Sequence, residues 1–412
     1  MELRDRQIMV LFISMFIFTL GFGIIVPVMA YFTRDMGATS FDVGILMALF
    51  SAMEFMFAPL WGMISDLIGR RPVILMGLFG FGVSFTITGF STQLWMVYVS
   101  QTLAGVCASG IFPSVTAYIA DITDHEGRIR LMGMLGAASG LGIIIGPSIS
   151  SVCAIWGLNM PFFAAAVLAM ATFVFGAMFL PESKKSGWPT ARAKKTPLLS
   201  SLKTPLGGLF FMMFFVSFAM ACIDGTLSYY VMDKFGLSEA ASRMPVLGAS
   251  VMLTGPNVTG ITFTLMGVIS VVCQGILIGR VVQRIGEEKT IMAGLAMIAV
   301  GMALLVGVFD LVTLLLCNCM ISIGMGFVSP CVNTLVSKRT DAEHQGSTMG
   351  VLGSFNSLGR ILGPTVGGFV YMFSVVALYF GSAVIAALSA LGIRIWMDKT
   401  KGIDAIKAAT RE

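Results

Sequence analysis

The chain has 412 residues, of which 57% are hydrophobic and 11% charged, with mean hydropathy +0.91 and a formal net charge of +5. Soluble domains carry about 25% charged residues to cover their surfaces, so this composition takes lipid as its main solvent and excludes ordinary soluble enzymes, nucleic-acid binders and disordered chains. The seven cysteines all fall in apolar runs, and the two histidines, His125 and His344, sit in polar loops. That usage argues against a disulfide framework or a histidine metal cluster.

About 20 apolar residues carry a helix across about 30 Å of hydrocarbon. Twelve such stretches run at roughly 8–32, 43–65, 72–92, 94–120, 129–153, 160–180, 205–231, 260–282, 290–309, 311–336, 346–371 and 374–397, and are numbered here as spans 1 to 12. The fold class expected is an all-α integral membrane protein with twelve transmembrane helices in two six-helix pseudo-symmetric bundles. Residues 1–181 form the first bundle, 182–204 a polar linker and 205–412 the second. With the N-terminus placed inside, 22 of the 26 Lys and Arg residues fall in cytoplasmic segments and three, Arg34, Lys234 and Arg243, in outer ones. This asymmetry sets both termini and the linker in the cytoplasm of a multi-pass cell-membrane protein. The outer segment 232–259 is long and largely apolar, which suggests a folded cap or a partly embedded hairpin. Its Asn257-Val258-Thr259 matches a glycosylation sequon, read as a chance match.

The two halves align at an offset of 217 residues. Gly62 maps to Gly279, Gly69 to Gly286, Pro113 to Pro330, Gly142 to Gly359, and Gly146-Pro147 to Gly363-Pro364. Matched Gly and Pro positions are backbone constraints, so the repeat is structural. Six spans per half is an even number, so the halves run parallel, and a site between them near the midplane is expected.

Span 2 is followed by Gly62-Met63-Ile64-Ser65-Asp66-Leu67-Ile68-Gly69-Arg70-Arg71-Pro72. This stretch resembles the signature loop between spans 2 and 3 of the major facilitator superfamily. Gly142-Ile143-Ile144-Ile145-Gly146-Pro147 in span 5 resembles the Gly-Pro motif of its drug–proton antiporter branch, and Gly23-Ile24-Ile25-Val26-Pro27-Val28 that branch's first-span pattern. The resemblance covers essentially the whole chain and is nearest to twelve-span tetracycline and multidrug efflux proteins. It implies proton-coupled efflux of small hydrophobic or amphiphilic compounds by alternating access. It also implies a cytoplasmic gate in which Asp66 meets the start of span 11, around Ser347 and Thr348, with Arg70 and Asp121 completing the charge network. The chain departs from the family in span 4, where Gln101 stands at the position of a usual Arg.

Ionisable groups inside spans are expensive and rare, so each is a candidate functional residue. Glu54, Asp224 and Arg360 are the three. Spans 1, 4, 7 and 10 line the cavity of the resembled fold, which favours Asp224 for proton coupling or for meeting a cationic substrate. Glu54 and Arg360 lie at matching depths, about 16 and 21 Å from opposite ends of their spans, and are expected to pair, with Asp224 as the rival partner of Arg360. The Gly-xxx-Gly patterns Gly142/Gly146 and Gly359/Gly363 read as close helix packing. The alternatives on the same fold are an uptake symporter or lipid-related transporter; a non-transporting receptor is less consistent with acids inside spans. No cofactor, metal or nucleic acid is implied, no ATP-binding loop is present, and a monomer is expected, with protons, the lipid bilayer and a small hydrophobic or amphiphilic substrate as partners.

Overall fold

A computed structural model describes residues 3–123, 125–183, 206–238, 240–246, 249–340 and 345–409. The 182–204 linker, apart from Glu182 and Ser183, lies outside the described residues. Ten helical stretches among the described residues are long and apolar enough to cross a membrane. One of them, Gly255–Leu305, contains the expected spans 8 and 9, divided at Gly286, where φ is +79°. The expected span 11 is helix Gln345–Phe373, which brings the chain into line with twelve spans.

The local signals explain where helices begin and turn. Span 2 starts at Ser40 behind Thr39, whose hydroxyl accepts from the Asp42 N–H at 3.3 Å while the Asp42 carboxylate accepts from the Thr39 N–H at 2.8 Å. Span 10, Leu311–Lys338, starts behind the same reciprocal arrangement between Asp310 and Thr313. Each box satisfies helix N–H groups that have no partner within the helix. Span 4 is made of two helices, Leu94–Ala108 and Ile111–Ile122.

The chain divides into two compact units, Met1–Ala191 with Gly225–Thr264, and Arg192–Asp224 with Leu265–Glu412. In the first unit, span 1 packs on span 5, span 2 on span 4, and span 3 on span 6. In the second, span 9 packs on spans 10 and 12.

The segment before span 8 is an antiparallel β-hairpin, Ser242–Val246 with Ala249–Leu253, in register Ser242 to Leu253. Span 8 therefore begins at Gly255, earlier than its hydropathy suggests. Neutral hydrogen bonds tie this end of the first unit together. The Tyr31 hydroxyl donates to the Ser228 carbonyl at 3.3 Å and shares a hydrogen bond with the Thr259 hydroxyl at 2.9 Å. The Tyr229 hydroxyl donates to the Ala38 carbonyl at 3.0 Å, and Ser151 donates to the Pro256 carbonyl at 3.2 Å. Ser148 and Thr264 share another hydrogen bond at 2.9 Å. Thr259 is fully buried here.

Candidate functional site

The turn between spans 2 and 3 is built on Gly69, whose φ of +107° is open to glycine and strained for other residues. It points Arg70 back at span 2 and across to span 4. The Arg70 guanidinium pairs with Asp66, donates to the Ser65 hydroxyl at 3.2 Å, and reaches Asp121 at 3.3 Å. The Arg70 and Asp121 side chains are 13% and 9% exposed, so this pair is largely out of water, while Asp66 is 47% exposed. The sequence-predicted Asp66, Arg70 and Asp121 therefore come together in one cluster. Arg71 turns elsewhere and donates to the Ala177 carbonyl of span 6 at 2.7 Å. Gly62 stands one helical turn before Asp66 with open space around it.

Glu182, which the sequence had placed in the linker, completes this cluster. Its carboxylate accepts the backbone N–H groups of Arg70 at 2.8 Å and Arg71 at 3.1 Å. It thus caps the first turn of span 3, where two cations oppose the helix dipole and an anion is favoured. Ser183 donates to Asp121 at 2.9 Å, and the Tyr118 hydroxyl donates to the Pro181 carbonyl at 2.8 Å. The end of span 6 is fastened to the cluster by these bonds.

The Gly-Pro stripes form the same contact in each half. A Cβ added at Gly146 would lie 2.7 Å from the Leu20 carbonyl oxygen of span 1, and one at Gly363 2.5 Å from the Phe218 carbonyl oxygen of span 7. Gly142 and Gly359, one turn earlier on their helices, lie against Phe16 and Phe214. Spans 5 and 11 therefore meet spans 1 and 7 backbone to backbone, with Pro147 and Pro364 inside their helices. Arg360, the residue after Gly359, stands on the helix that packs in this way against span 7, the span that carries Asp224. Both side chains are half-buried, as is Glu54 in span 2 of the other unit.

A second charged turn escaped the sequence reading. After Gly286, Glu287 pairs with Lys338 and Glu288 with Arg339, the latter at 3.2 Å. The offset of 217 residues that relates the halves would have found it, because it sends Arg70 to Glu287 and Asp121 to Lys338. Among the described residues no group of His, Cys, Asp and Glu side chains is arranged to hold a metal ion.

The family model described as Major Facilitator Superfamily matches residues 11–260 and 209–411. The chain belongs to the Major Facilitator Superfamily. It is 29% identical over 402 residues to Multidrug resistance protein 2 of Bacillus subtilis (strain 168), covering 96% of each chain. It is 30% identical over 373 residues to the class C tetracycline resistance protein of Escherichia coli, covering 88% of this chain and 87% of that one. Among solved structures, the human organic anion transporter MFSD10 (TETRAN) superposes with TM-score 0.64 at 22% identity, covering 95% of this chain and 100% of that one. As in the sequence reading, a superfamily member with this organisation is a multi-pass membrane protein whose fold is two related sets of helices.

Proposed function

We propose that this superfamily member is a secondary transporter that exports small hydrophobic or amphiphilic compounds, drugs among them, in exchange for protons. The observation that carries the proposal is whole-length similarity to multidrug and tetracycline resistance proteins. The site supports it with an acid and a cation inside the spans of one unit, Asp224 and Arg360. Such groups mark proton and substrate paths. In this reading Asp224 carries the coupling proton, and Arg360 is the cation of the same unit that takes part in its exchange. Glu54 is the second intramembrane carboxylate available to Arg360.

Alternating access needs parts that stay rigid and parts that come apart. The Gly-Pro stripes of spans 5 and 11 supply rigid pairings with spans 1 and 7. The Asp66–Arg70–Asp121 cluster acts as the cytoplasmic gate, with Asp66 engaging the start of span 11. Residues 1–181 and 205–412 are the two moving bundles, joined by 182–204. Both termini and the linker lie in the cytoplasm, the chain sits in the cell (inner) membrane, and it works as a monomer without a cofactor.

The test is transport in proteoliposomes under an imposed pH gradient, with lipophilic cations and uncharged drugs as substrates. The wild-type protein should drive uptake into liposomes only with the gradient present, and Asp224→Asn should abolish that dependence while inserting normally. Transport that ignores the gradient would overturn proton coupling. Trp188→Cys and Ala405→Cys should react with an impermeant thiol reagent only after the membrane is opened; labelling in intact cells would overturn the orientation.

A further inference from the structure

Within the second unit, the start of span 7 and the end of span 12 leave a groove of about 310 Å3 between them. Met212, Ser389 and Ile393 are buried and form its floor; Phe211, Phe215 and Leu388 are exposed and form its rims. The Ser389 hydroxyl donates to the Ile385 carbonyl at 2.8 Å, so its one proton is used within span 12. None of the lining residues is ionisable. The face around the groove is apolar too, with Leu391 and Ile395 of span 12 at 56% and 58% exposed, on a stretch long and apolar enough to cross a membrane. Hydrocarbon holds no water to fill such a groove, and its walls lose dispersion contacts unless an apolar group enters.

The matched helix of the other half shows what opens the groove. The offset of 217 residues lays span 12 on span 6, with Ala386 on Ala169 and Ser389 on Thr172, all four buried. It lays Gly392 on Phe175, whose ring packs on Phe179 at a centroid distance of 4.8 Å. A Cβ added at Gly392 would meet nothing within 4 Å. Where span 6 carries a ring, span 12 carries open space.

We propose that this groove binds one acyl chain of an anionic phospholipid, whose phosphate lies against Arg394. The groove has room for about ten groups of about 30 Å3 each, the share of a water in the liquid and close to that of a methylene. Ile385 and Ile393 stand about 12 Å apart along their helix, so the space is long and narrow, as an alkyl chain is. Arg394 follows directly on Ile393, is exposed, and stands at the end of the spanning stretch Val375–Ile395. From there a guanidinium reaches the headgroup layer while its stem stays on apolar surface, and its planar fork suits a phosphate. Beyond it the sequence carries Arg394, Lys399, Lys401 and Lys407 against Asp398 and Asp404, and Lys203 precedes span 7. Basic residues at the end of a groove between spans favour anionic headgroups over zwitterionic ones. On the orientation proposed above, the lipid belongs to the cytoplasmic leaflet. The site needs only the membrane-spanning fold and is independent of which compounds are transported.

The experiment uses the full chain, purified in detergent and stripped of lipid. Native mass spectrometry compares added dioleoylphosphatidylglycerol with dioleoylphosphatidylcholine. The wild-type protein should retain one phosphatidylglycerol in preference to phosphatidylcholine. Arg394→Gln should weaken phosphatidylglycerol about fivefold, the worth of one basic residue beside an anionic lipid, and leave phosphatidylcholine unchanged. Gly392→Phe, which fills the groove, should weaken both. A phosphatidylglycerol bearing a diazirine in its acyl chain reads the site in the wild-type protein without any substitution. After photolysis its adducts should concentrate on Phe211, Met212 and Ile393. Adducts spread evenly over other exposed apolar positions, such as Val300 and Leu304 of span 9, would overturn the site. Equal retention of the two lipids by the wild-type protein, or an unchanged preference in Arg394→Gln, would overturn the role of Arg394.

Discussion

After Gly69 the chain enters span 3 with Arg70 and Arg71; after Gly286 it enters span 9 with Glu287 and Glu288. Both glycines hold positive φ, +107° and +79°. Asp121 ends span 4 where Lys338 ends span 10. The repeat has kept the backbone and reversed the charges. In the second half, acids sit at a helix start and cations at a helix end, where the helix dipoles favour them. In the first half, cations sit at the start of span 3, and Asp66 and Asp121 sit at helix ends, so every charge opposes its dipole. The first-half cluster compensates by direct, largely buried pairing and by the Glu182 cap. The second-half pairs are more open, with Lys338 61% exposed. One turn is held by its partners and the other by its helices.

The largest difference should come from removing the central cation. Arg70→Gln leaves Asp121 buried without its partner, which costs about 3–5 kcal/mol for a buried pair broken on one side. Glu287→Gln removes an exposed pair worth about 0–1 kcal/mol. Thermal unfolding in detergent reads both; equal losses would break the comparison. Next come the hinge glycines. Ala at either position is strained by about 1–3 kcal/mol, but a Cβ at Gly69 also meets the Glu182 carboxylate, whereas one at Gly286 meets nothing within 4 Å. Gly69→Ala should therefore lower Tm more than Gly286→Ala, and the order should shrink in a Glu182→Ala background.

A smaller effect is expected for Glu182→Gln. It removes the anion from the start of span 3 while leaving hydrogen-bonding capacity, a loss of about 1 kcal/mol. High salt should mask part of it, because the carboxylate is exposed. The smallest concerns Asp310, a cap governed only by its own helix. Its hydrogen bonds from the Thr313 side chain and backbone N–H hold its carboxyl below the ordinary value of 3.8. The stabilisation is complete above that ordinary value and is lost as pH falls through the lower folded one. Asp310→Asn should thus lower Tm slightly at neutral pH, leave it almost unchanged at low pH, and so flatten the acid-side decline. A decline beginning near pH 6 would point to a different group.

The features that could be read from the sequence are those written as backbone constraints or as exclusions from lipid. Gly69, the Gly146-Pro147 and Gly363-Pro364 stripes, and the spans themselves each state their requirement locally. The grouping of Asp66, Arg70 and Asp121 was legible because the loop resembled a known signature. Glu182 was not, since it meets Arg70 across 112 positions of sequence, and a polar residue beside a linker gives no sign of the helix end it will cap. The β-hairpin was legible only as a choice between a folded cap and a partly embedded hairpin, because its apolar run is too short and irregular to separate strand from helix by period. Gln101 could be flagged as a departure from an expected cation, but its burial on span 4, at 3% exposed, comes only from packing.

The opposite end of the first unit is held by uncharged hydrogen bonds, among them those of Tyr31 with Ser228 and Thr259 and of Tyr229 with Ala38, together with one from the Arg34 guanidinium to the Met232 sulfur at 3.0 Å. Making or breaking the uncharged bonds moves no net charge through the electric field of an energised membrane. A unit charge crossing that field exchanges about 2.3 kcal/mol per 100 mV. In the proposed cycle the voltage therefore has no grip on these uncharged bonds, and it acts through the ions that travel, through the intramembrane charges and through Arg34. Making the uncharged bonds is itself electrically silent, and a difference between a resting liposome and a polarised one would report on Arg34 instead.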